Sequence, residues 1–421
     1  MIVDAALIFC RRFQKCHPGG ENVNTMLGNR KLVLDTHAEV YRELLPWADA
    51  EFWDLRQHTI IPGAVYIMCR EQVNLYNAEI QQLAQSGTVT VVLDNAAEGS
   101  ETLVTWCFVK GLVPLIEQGK ILLIGGGDMD PARWPYMSYE YFLPKILDFD
   151  ENVVTADAMD DFFSHLDKPY KFLFLNGRMR SHRKYLLERF GSNGTLDHSL
   201  WTNLDSDLIL VTSLPQQRWQ DFNSLEHVKL HCMQDGTDVM QRPIGLHFLP
   251  ELYECEQFRS NLLHMPCAGT VKRQLFNNTW GDAVVHGHAY RDSYFSLVTE
   301  TVFAYPYSFR TEKIWKPIAV GHPWIAVANT GFYRDMRRMG FRTFSHVIDE
   351  SFDSIDNNQD RIDRIATVVE DLCQQDLVGF YKECYNVCKY NQQHYAEYRH
   401  RVPRELPQQF TQFLKKYNLD E

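Results

Sequence analysis

Arginine, threonine, glutamate and lysine stand next to one another in a short segment of the C-terminal half, Tyr307–Pro317. A strand-like run, Tyr294–Thr301, precedes this segment and supplies a further glutamate. A carboxylate beside bases can accept hydrogen bonds from ribose hydroxyls while an ammonium group faces phosphate. The segment therefore predicts a site for a nucleotide diphosphate, bound without a metal ion. The residues predicted to form it are Glu300, Arg310, Thr311, Glu312 and Lys313.

The same residues also allow a purely local interpretation. Thr311 would cap a helix, Glu312 would favour its first turn and Lys313 would be solvated. Pro317 argues against this interpretation, because proline is poor inside a helix and well suited to its first position. We therefore expect the helix to begin near Lys316, which leaves the three preceding polar residues in a loop that faces a ligand.

A second basic group follows another strand candidate. Residues 176–184 read Asn-Gly-Arg-Met-Arg-Ser-His-Arg-Lys, and Ser181 is a candidate N-cap of the helix that comes next. Cations at a helix start oppose the helix dipole, so this basic turn is unfavourable by itself and an anion would offset it. The alternative is an exposed basic first turn. Arg178, Arg180 and Arg183 are predicted to donate to phosphate. Asn176, Arg178 and Arg183 are the residues of this group predicted to form the nucleotide site.

Short apolar runs closed by turn residues must supply the scaffold for these segments. They are Thr90–Leu93, Ile121–Ile124, Phe172–Leu175, Leu208–Val211 and Trp324–Ala328. Runs of this length predict strands that are buried on both faces, and helical patterns lie between them. Helices are predicted for Ser181–Phe190 and for Asp360–Leu372, the second with its apolar residues on one stripe. This alternation predicts an α/β fold with parallel sheets.

Two such series of strands and helices divide the chain, and an acidic joint containing a proline lies between them. We predict an N-terminal domain over residues 1–165 that binds the acceptor. A C-terminal domain over residues 166–395 would bind the donor, and residues 396–421 would form a helical tail. Pro403 and Pro407 predict a break in the helix of the tail.

The composition excludes several classes of protein and site. The chain has 421 residues, of which 45% are hydrophobic and 23% are charged, as in ordinary globular proteins. A formal charge of −12 disfavours binding to nucleic acid. The ten cysteines form no Cys-x-x-Cys pair, and no run of about 18 apolar residues occurs. We expect reduced thiols, no metal site, no transmembrane segment and a cytoplasmic location.

Two segments carry a likeness to a known family. FLNGRMRSHR at 174–183 and FRTEKIWKPIAVGHPWI at 309–325 resemble GT-B glycosyltransferases, most closely the fucosyltransferase-like and exostosin-like enzymes of viruses and bacteria. GFRTF at 340–344 and IDESFD at 348–353 fit the same likeness. The chain departs from it at Pro317, where those enzymes keep an ordinary helix.

The resemblance covers residues 171–372 and implies two Rossmann-like domains that face a cleft. A nucleotide-diphosphate sugar would bind the second domain, with Arg178 and Lys313 on the diphosphate and Glu312 on the ribose. Enzymes of this type invert the anomeric carbon and use no metal or other cofactor. The resemblance thus implies transfer of a sugar from this donor to a hydroxyl of a glycan or another acceptor.

Such a transfer needs a general base for the acceptor hydroxyl, and the likeness implies that the first domain supplies it. Asp94, Glu98 and Asp128 follow two strand candidates there, and each is also open to a role as a helix cap or a solvated acid. The glycine run 125–127 lacks the spacing of phosphate-binding loops and indicates a tight turn. Two other functions stay open: a nucleotide- or glycan-binding protein without catalysis, and a nucleic-acid base glycosyltransferase.

Overall fold

Two units, both of mixed strands and helices, make up the described part of the chain. The computed structural model describes residues 31–34, 44, 50–52, 60–99, 103, 107–130, 132, 134–145, 156–176, 180–203 and 287–417. The first unit comprises Met1–Pro144 with Glu397–Glu421, and the second comprises Lys145–Ala396. Each contains a parallel sheet, which confirms the predicted α/β class.

The sheet of the first unit has six described strands, all paired in parallel. These strands are β1 (Leu32–Leu34), β2 (Ala50–Phe52), β3 (Val65–Cys69), β4 (Thr90–Gly99), β5 (Ile121–Gly126) and β6 (Tyr136–Ser138). Their order across the sheet is β2-β1-β3-β4-β5-β6. The helices among them are α1 (Arg70–Ser86), α2 (Val113–Glu117) and α3 (Phe142–Lys145). Two of the predicted strands are thereby confirmed as β4 and β5.

The sheet of the second unit has four described strands, again all parallel, in the order β10-β9-β7-β8. These strands are β7 (Tyr170–Asn176), β8 (Leu200–Asn203), β9 (Ser293–Thr299) and β10 (Trp324–Val327). The helices are α4 (Ala156–Ser164), α5 (Ser181–Ser192), α6 (Gly287–Arg291), α7 (Glu312–Ala319), α8 (Phe332–Arg338) and α9 (Asn358–Leu372). The last helix, α10 (Leu377–Lys416), begins in this unit, and its residues from Glu397 onward belong to the first unit. Single 3₁₀ turns occur at Thr195–His198 and Ser351–Ser354. The predicted helices are confirmed as α5 and α9, whereas the strand candidate Leu208–Val211 lies outside the described residues.

Both faces of the first sheet are buried, which explains its uninterrupted apolar strands. Val91 and Leu93 of β4 enter one core, and Val92 between them enters the other. Successive side chains of a strand point to opposite faces, so only a sheet covered on both sides favours such a run. The second core also contains Leu406 and Phe410 of α10. The segment predicted as a separate tail therefore contributes to the core of the first unit.

Aromatic packing positions α5 on the sheet of the second unit. Phe172 of β7 stacks on Phe295 of the neighbouring β9, with ring centroids 5.4 Å apart. Phe190 of α5 meets Phe172 at 6.1 Å and Phe174 at 6.3 Å. Each such aromatic pair stabilises the fold by about 0.5–1.5 kcal/mol beyond the effect of the surface that it buries. This packing holds the C-terminal part of α5, which begins just beyond the end of β7, against the sheet.

The prolines of α10 do not interrupt it, and the predicted break at Pro403 and Pro407 is wrong. A proline inside a helix removes one N–H donor from the ladder, at a cost of about 3 kcal/mol. Leu406 and Phe410 are fully buried on the same stretch of helix, and this burial offsets the loss. Tertiary packing here outweighs the local preference that the sequence pattern reflects.

Helix α10 has 40 residues, but many of them are charged or polar. Among the helices of the described ranges, none combines enough length with enough apolar character to cross a membrane.

Candidate functional site

Polar residues gather where the strands of the second sheet end. Asn176 is the last residue of β7, and Glu300 directly follows the adjacent strand β9. The carboxyl ends of parallel strands lie at one edge of a sheet, which is where ligands bind in open α/β folds. The Oγ1 atom of Thr299 donates to Oδ1 of Asn176 at 2.9 Å and ties the two strand ends together. The structure thus brings Asn176 and Glu300, both predicted site residues, to the same edge.

Glu300 is fully buried and joins this edge to the segment that carries Thr311. Its Oε1 accepts from the backbone N–H of Thr311 at 3.1 Å, and its Oε2 accepts from the Thr311 hydroxyl at 2.7 Å. Oε2 also accepts from the N–H of Thr301 at 3.2 Å. Burial raises the pKa of the Glu300 carboxyl, while the Lys313 ammonium and the Thr311 hydroxyl act in the opposite direction. The carboxyl is therefore built into the protein as a hydrogen-bond acceptor.

Helix α7 begins at Glu312, so the prediction of a start near Lys316 is wrong. Thr311 is the N-cap, with extended backbone angles, and its Oγ1 accepts from the N–H of Lys313 at 3.3 Å. Glu312 in the first turn favours this start through the helix dipole. The capped start lies upstream of Pro317, which therefore falls inside the helix. The local interpretation was right about the cap and the first turn.

Lys313 is held within the same group of side chains rather than solvated. Its ammonium donates to Oγ1 of Thr311 at 3.2 Å and pairs with the carboxylate of Glu312. Its side chain is 25% exposed, against 12% for Glu312. Burial would raise the pKa of the Glu312 carboxyl, but the ammonium groups of Lys313 and Lys316 outweigh it and lower that pKa. An ion pair with partial access to solvent therefore marks the start of α7.

His182 and Arg183 at the start of α5 bind the backbone of the same strand end. Nε2 of His182 lies 3.0 Å from the carbonyl oxygen of Glu300. Burial, together with the charge of Arg183, lowers the pKa of His182 to about 3, so the ring is neutral near pH 7 and Nε2–H donates. Arg183 donates to the carbonyl oxygens of Thr299 at 2.8 Å and of Glu300 at 3.2 Å. The predicted phosphate ligand Arg183 is thus buried against the end of β9.

Of the other predicted bases of the second unit, Arg310 lies within the described residues and Arg178 does not. Arg310 is buried, with 3% of its surface exposed, and directly precedes Thr311. Arg178 lies outside the described residues. Arg180, which the sequence grouped with it, is the exposed N-cap residue of α5 and offers no side-chain cap. The structure therefore brings Asn176, Arg183 and the 300–313 segment together, and it leaves Arg178 unplaced.

Sequence reasoning missed a buried arginine that holds the loops at this edge. Arg361 of α9 is 1% exposed and donates to the carbonyl oxygens of Ala328 at 3.2 Å and Phe303 at 2.7 Å. It also donates to Oγ1 of Thr330 at 2.8 Å. Its guanidinium lies 4.4 Å from the centroid of the Phe303 ring. The loops after β9 and β10 are thus joined by one side chain, which in the sequence looks like an ordinary charge on an amphipathic helix.

A second polar group at this edge was also missed. The hydroxyl of Ser308 donates to Oδ2 of Asp335 at 2.7 Å and accepts from Nδ2 of Asn329 at 3.2 Å. All three side chains are buried. Ser308 lies in the polar segment Tyr307–Pro317, and Asn329 is a polar residue that follows β10. The position of a polar residue just after a strand could have identified this group. This group fixes the loop before Thr311 to the start of α8.

In the first unit, two of the three candidate bases lie in β4, and the third follows the adjacent strand β5. Asp94 is buried inside β4, and its Oδ1 accepts from the N–H of Ala96 at 3.1 Å. Glu98 lies near the end of the same strand and Asp128 two residues beyond the end of β5; both are half-buried. Gly99 of β4 is opposite Gly126 of β5, so these two acids share the carboxyl edge of the sheet. Asp94 is thus buried and bound to the backbone of its own strand.

The glycine run beside Asp128 ends a strand and packs against an aromatic ring: Gly125 and Gly126 are the last residues of β5, and Gly127 follows in a bend. A Cβ atom on Gly125 would lie 2.7 Å from the hydroxyl oxygen of Tyr136. That hydroxyl lies 3.1 Å from the carbonyl oxygen of Gly126 and 3.0 Å from that of Gly127. Gly127 adopts φ 78°, which favours glycine. Close packing and a left-handed residue thus explain the glycines.

Within the described ranges, no three His, Cys, Asp or Glu side chains cluster in a way that would hold a metal ion. Comparisons of this chain with protein families, curated proteins and solved structures give no match.

Proposed function

We propose that this protein is a glycosyltransferase with two Rossmann-like domains. It would move a sugar from a nucleotide-diphosphate donor to an acceptor hydroxyl without a metal ion. The observation that carries the proposal is the partly exposed ammonium of Lys313, held at the start of α7 beside a parallel sheet edge. The likeness of segments 174–183 and 309–325 to GT-B enzymes agrees with this placement.

The chemistry follows from the leaving group. As the bond between sugar and diphosphate breaks, negative charge builds up on the phosphate oxygens. Lys313 and the positive end of the α7 dipole would stabilise that charge, with Arg178 as the predicted second cation. Glu312 would accept from the ribose hydroxyls. Binding that is stronger in the transition state than in the ground state is what accelerates the step.

The acceptor hydroxyl must lose a proton as it attacks the anomeric carbon. Glu98 and Asp128 are our candidates for the general base, because each is half-buried at a sheet edge. Asp94 is the weaker candidate, since burial and the bond from the Ala96 N–H hold it in place. Replacement of the true base by the matching amide should lower kcat and leave donor affinity unchanged.

Calorimetric titration with UDP, GDP, CDP and ADP tests the proposal. Loss of a charged hydrogen bond to phosphate costs about 1.5–3 kcal/mol, so Lys313→Met should weaken binding of the preferred nucleotide about tenfold to a hundredfold. Lys382→Met, which removes an exposed lysine from α10 of the same unit, is the matched control. Equal affinity in the wild type and in Lys313→Met would defeat the proposal.

A binding protein without catalysis is the second candidate, and the commitment of Asp94 to the backbone favours it. A donor-hydrolysis and transfer assay with the matching nucleotide sugar separates the two functions. Nucleotide binding without hydrolysis or transfer supports the second candidate. A nucleic-acid base glycosyltransferase would in addition bind duplex DNA with an affinity that falls as salt rises.

A further inference from the structure

We infer that Glu300 is a positioning residue, which acts through Thr311 to place the ammonium of Lys313, and that it is not itself a ligand of the nucleotide. The inference deepens the proposed function and rests on it. It changes the role that the sequence suggested for Glu300, which was direct contact with the donor. Glu312 then remains as the carboxylate available to the ribose.

The carboxyl of Glu300 already accepts from three donors of the protein itself. Its two oxygens accept from the Thr311 N–H, the Thr311 hydroxyl and the Thr301 N–H, at 3.1, 2.7 and 3.2 Å. The whole residue is 0% exposed. A ribose hydroxyl would have to displace these internal donors to reach it. Glu312 retains some access to solvent beside Lys313.

The hydrogen bonds around Thr311 run in a defined direction. A threonine hydroxyl has one proton and two lone pairs. The short bond of 2.7 Å to Glu300 takes the proton, because the carboxylate can only accept. Both lone pairs are then available to Lys313, whose N–H and ammonium lie 3.3 and 3.2 Å from Oγ1. The buried carboxylate thus orients the hydroxyl that holds the lysine.

The backbone of Glu300 is also held in place, by two residues of α5. Its carbonyl oxygen accepts from His182 and from Arg183, so the residue cannot shift along the strand direction. The end of β9 therefore fixes the position of Lys313, because Glu300 at that end binds Thr311 and Thr311 binds the lysine. An amide at position 300 would keep the shape but place an NH₂ group against one of the Thr311 donors, which would disturb this chain of contacts.

The test compares GDP and UDP with their 2′,3′-dideoxy forms, which lack the ribose hydroxyls. A positioning role predicts that Glu300→Gln weakens each nucleotide and its dideoxy form by the same factor, about tenfold. In a Lys313→Met background the same substitution should have no further effect, because its consequence passes through the lysine. Glu383→Gln, on the exposed face of α10, is the control for removal of a carboxylate.

Two results would overturn the inference while the proposed function stands. One is a Glu300→Gln variant that weakens GDP or UDP but not the dideoxy form, which is the behaviour of a ribose ligand. The other is an effect that adds in full to that of Lys313→Met. Wild-type protein that binds none of UDP, GDP, CDP and ADP overturns the proposed function, and the inference with it.

Thr311 supplies an independent variant should Glu300→Gln fail to fold. Thr311→Ser keeps the hydroxyl and should retain nucleotide affinity. Thr311→Val removes the hydroxyl and should weaken a nucleotide and its dideoxy form alike, although Glu300 is still present. Affinity unchanged in Thr311→Val would show that the hydroxyl does not place Lys313, and the inference would fail.

Discussion

Replacement of Lys168 by methionine should remove a strong pH dependence from the stability of the protein. Lys168 is 6% exposed, and its ammonium donates to the carbonyl oxygens of Phe162, at 3.3 Å, and of Arg291. It also lies 4.3 Å from the centroid of the Tyr381 ring. Burial lowers the pKa of Lys168 to about 8, although the carboxylate of Asp292 acts in the opposite direction. The folded state therefore disfavours the protonated form.

The sign and size of this pH dependence follow from the linkage between protonation and folding. Below about pH 8 the lysine is protonated in both states, and the folded state bears the full penalty. Between about pH 8 and 10.5 the folded state loses the proton first, so the free energy of unfolding rises with pH. One pKa unit corresponds to about 1.4 kcal/mol, so the total rise is about 3 kcal/mol. Carbonyl oxygens still accept from the neutral amine, so these contacts persist.

Urea unfolding across this pH range measures the effect. The free energy of unfolding of the wild type, minus that of Lys168→Met, should increase by about 3 kcal/mol between the two ends of the range. Other groups titrate in both proteins and cancel in the difference. Lys382→Met, which removes an ammonium group from an exposed position, is the control variant. A flat difference for Lys168→Met would refute the reasoning, because it would mean that burial does not penalise the charge.

Two further substitutions test the packing around the two sheet edges. Arg361→Met should lower the free energy of unfolding by about 2–5 kcal/mol, because it leaves the buried carbonyl oxygens of Ala328 and Phe303 without this donor, at about 1–3 kcal/mol each. Thermal unfolding measures the change, and a loss below 1 kcal/mol would contradict it. Gly125→Ala should cost about 1–3 kcal/mol, because its methyl group would meet the hydroxyl of Tyr136. Tyr136→Phe should recover part of that loss, and urea unfolding of the double variant would show whether it does.

Much of the fold could be predicted from the sequence, because burial leaves a direct mark on composition. The run Val91–Leu93 is apolar at every position, and such a run indicates a strand covered on both faces. Thr311 and Glu312 likewise carry the local signature of a helix start. Pro317 misled the prediction, because local preference favours proline at a first turn, while the capping bonds of Thr311 decide where the helix begins.

The roles of the buried polar residues could not be predicted, because their partners are distant in sequence. Nothing near Glu300 shows that its carboxylate binds a threonine eleven positions later, since the loop between them contains no repeating pattern. Arg361 binds Phe303, which lies 58 positions away, and in the sequence it resembles any charge on an amphipathic helix. Residue type indicated that a charged group was present, but only the fold determines whether it faces a ligand or a carbonyl oxygen.

The ion pair at the start of α7 also limits what the site can bind. Lys313 is already paired with Glu312, and its ammonium also interacts electrostatically with the buried carboxyl of Glu300. A simple anion would gain the ammonium but would bring negative charge towards two carboxylates. A ligand that carries hydroxyls next to its phosphates can donate to Glu312 and leave the ammonium to the phosphate. A nucleoside diphosphate has this pairing of groups, since its ribose hydroxyls and its phosphates lie on the same sugar. The acid beside the lysine therefore favours a nucleotide over inorganic phosphate as the ligand of the proposed site.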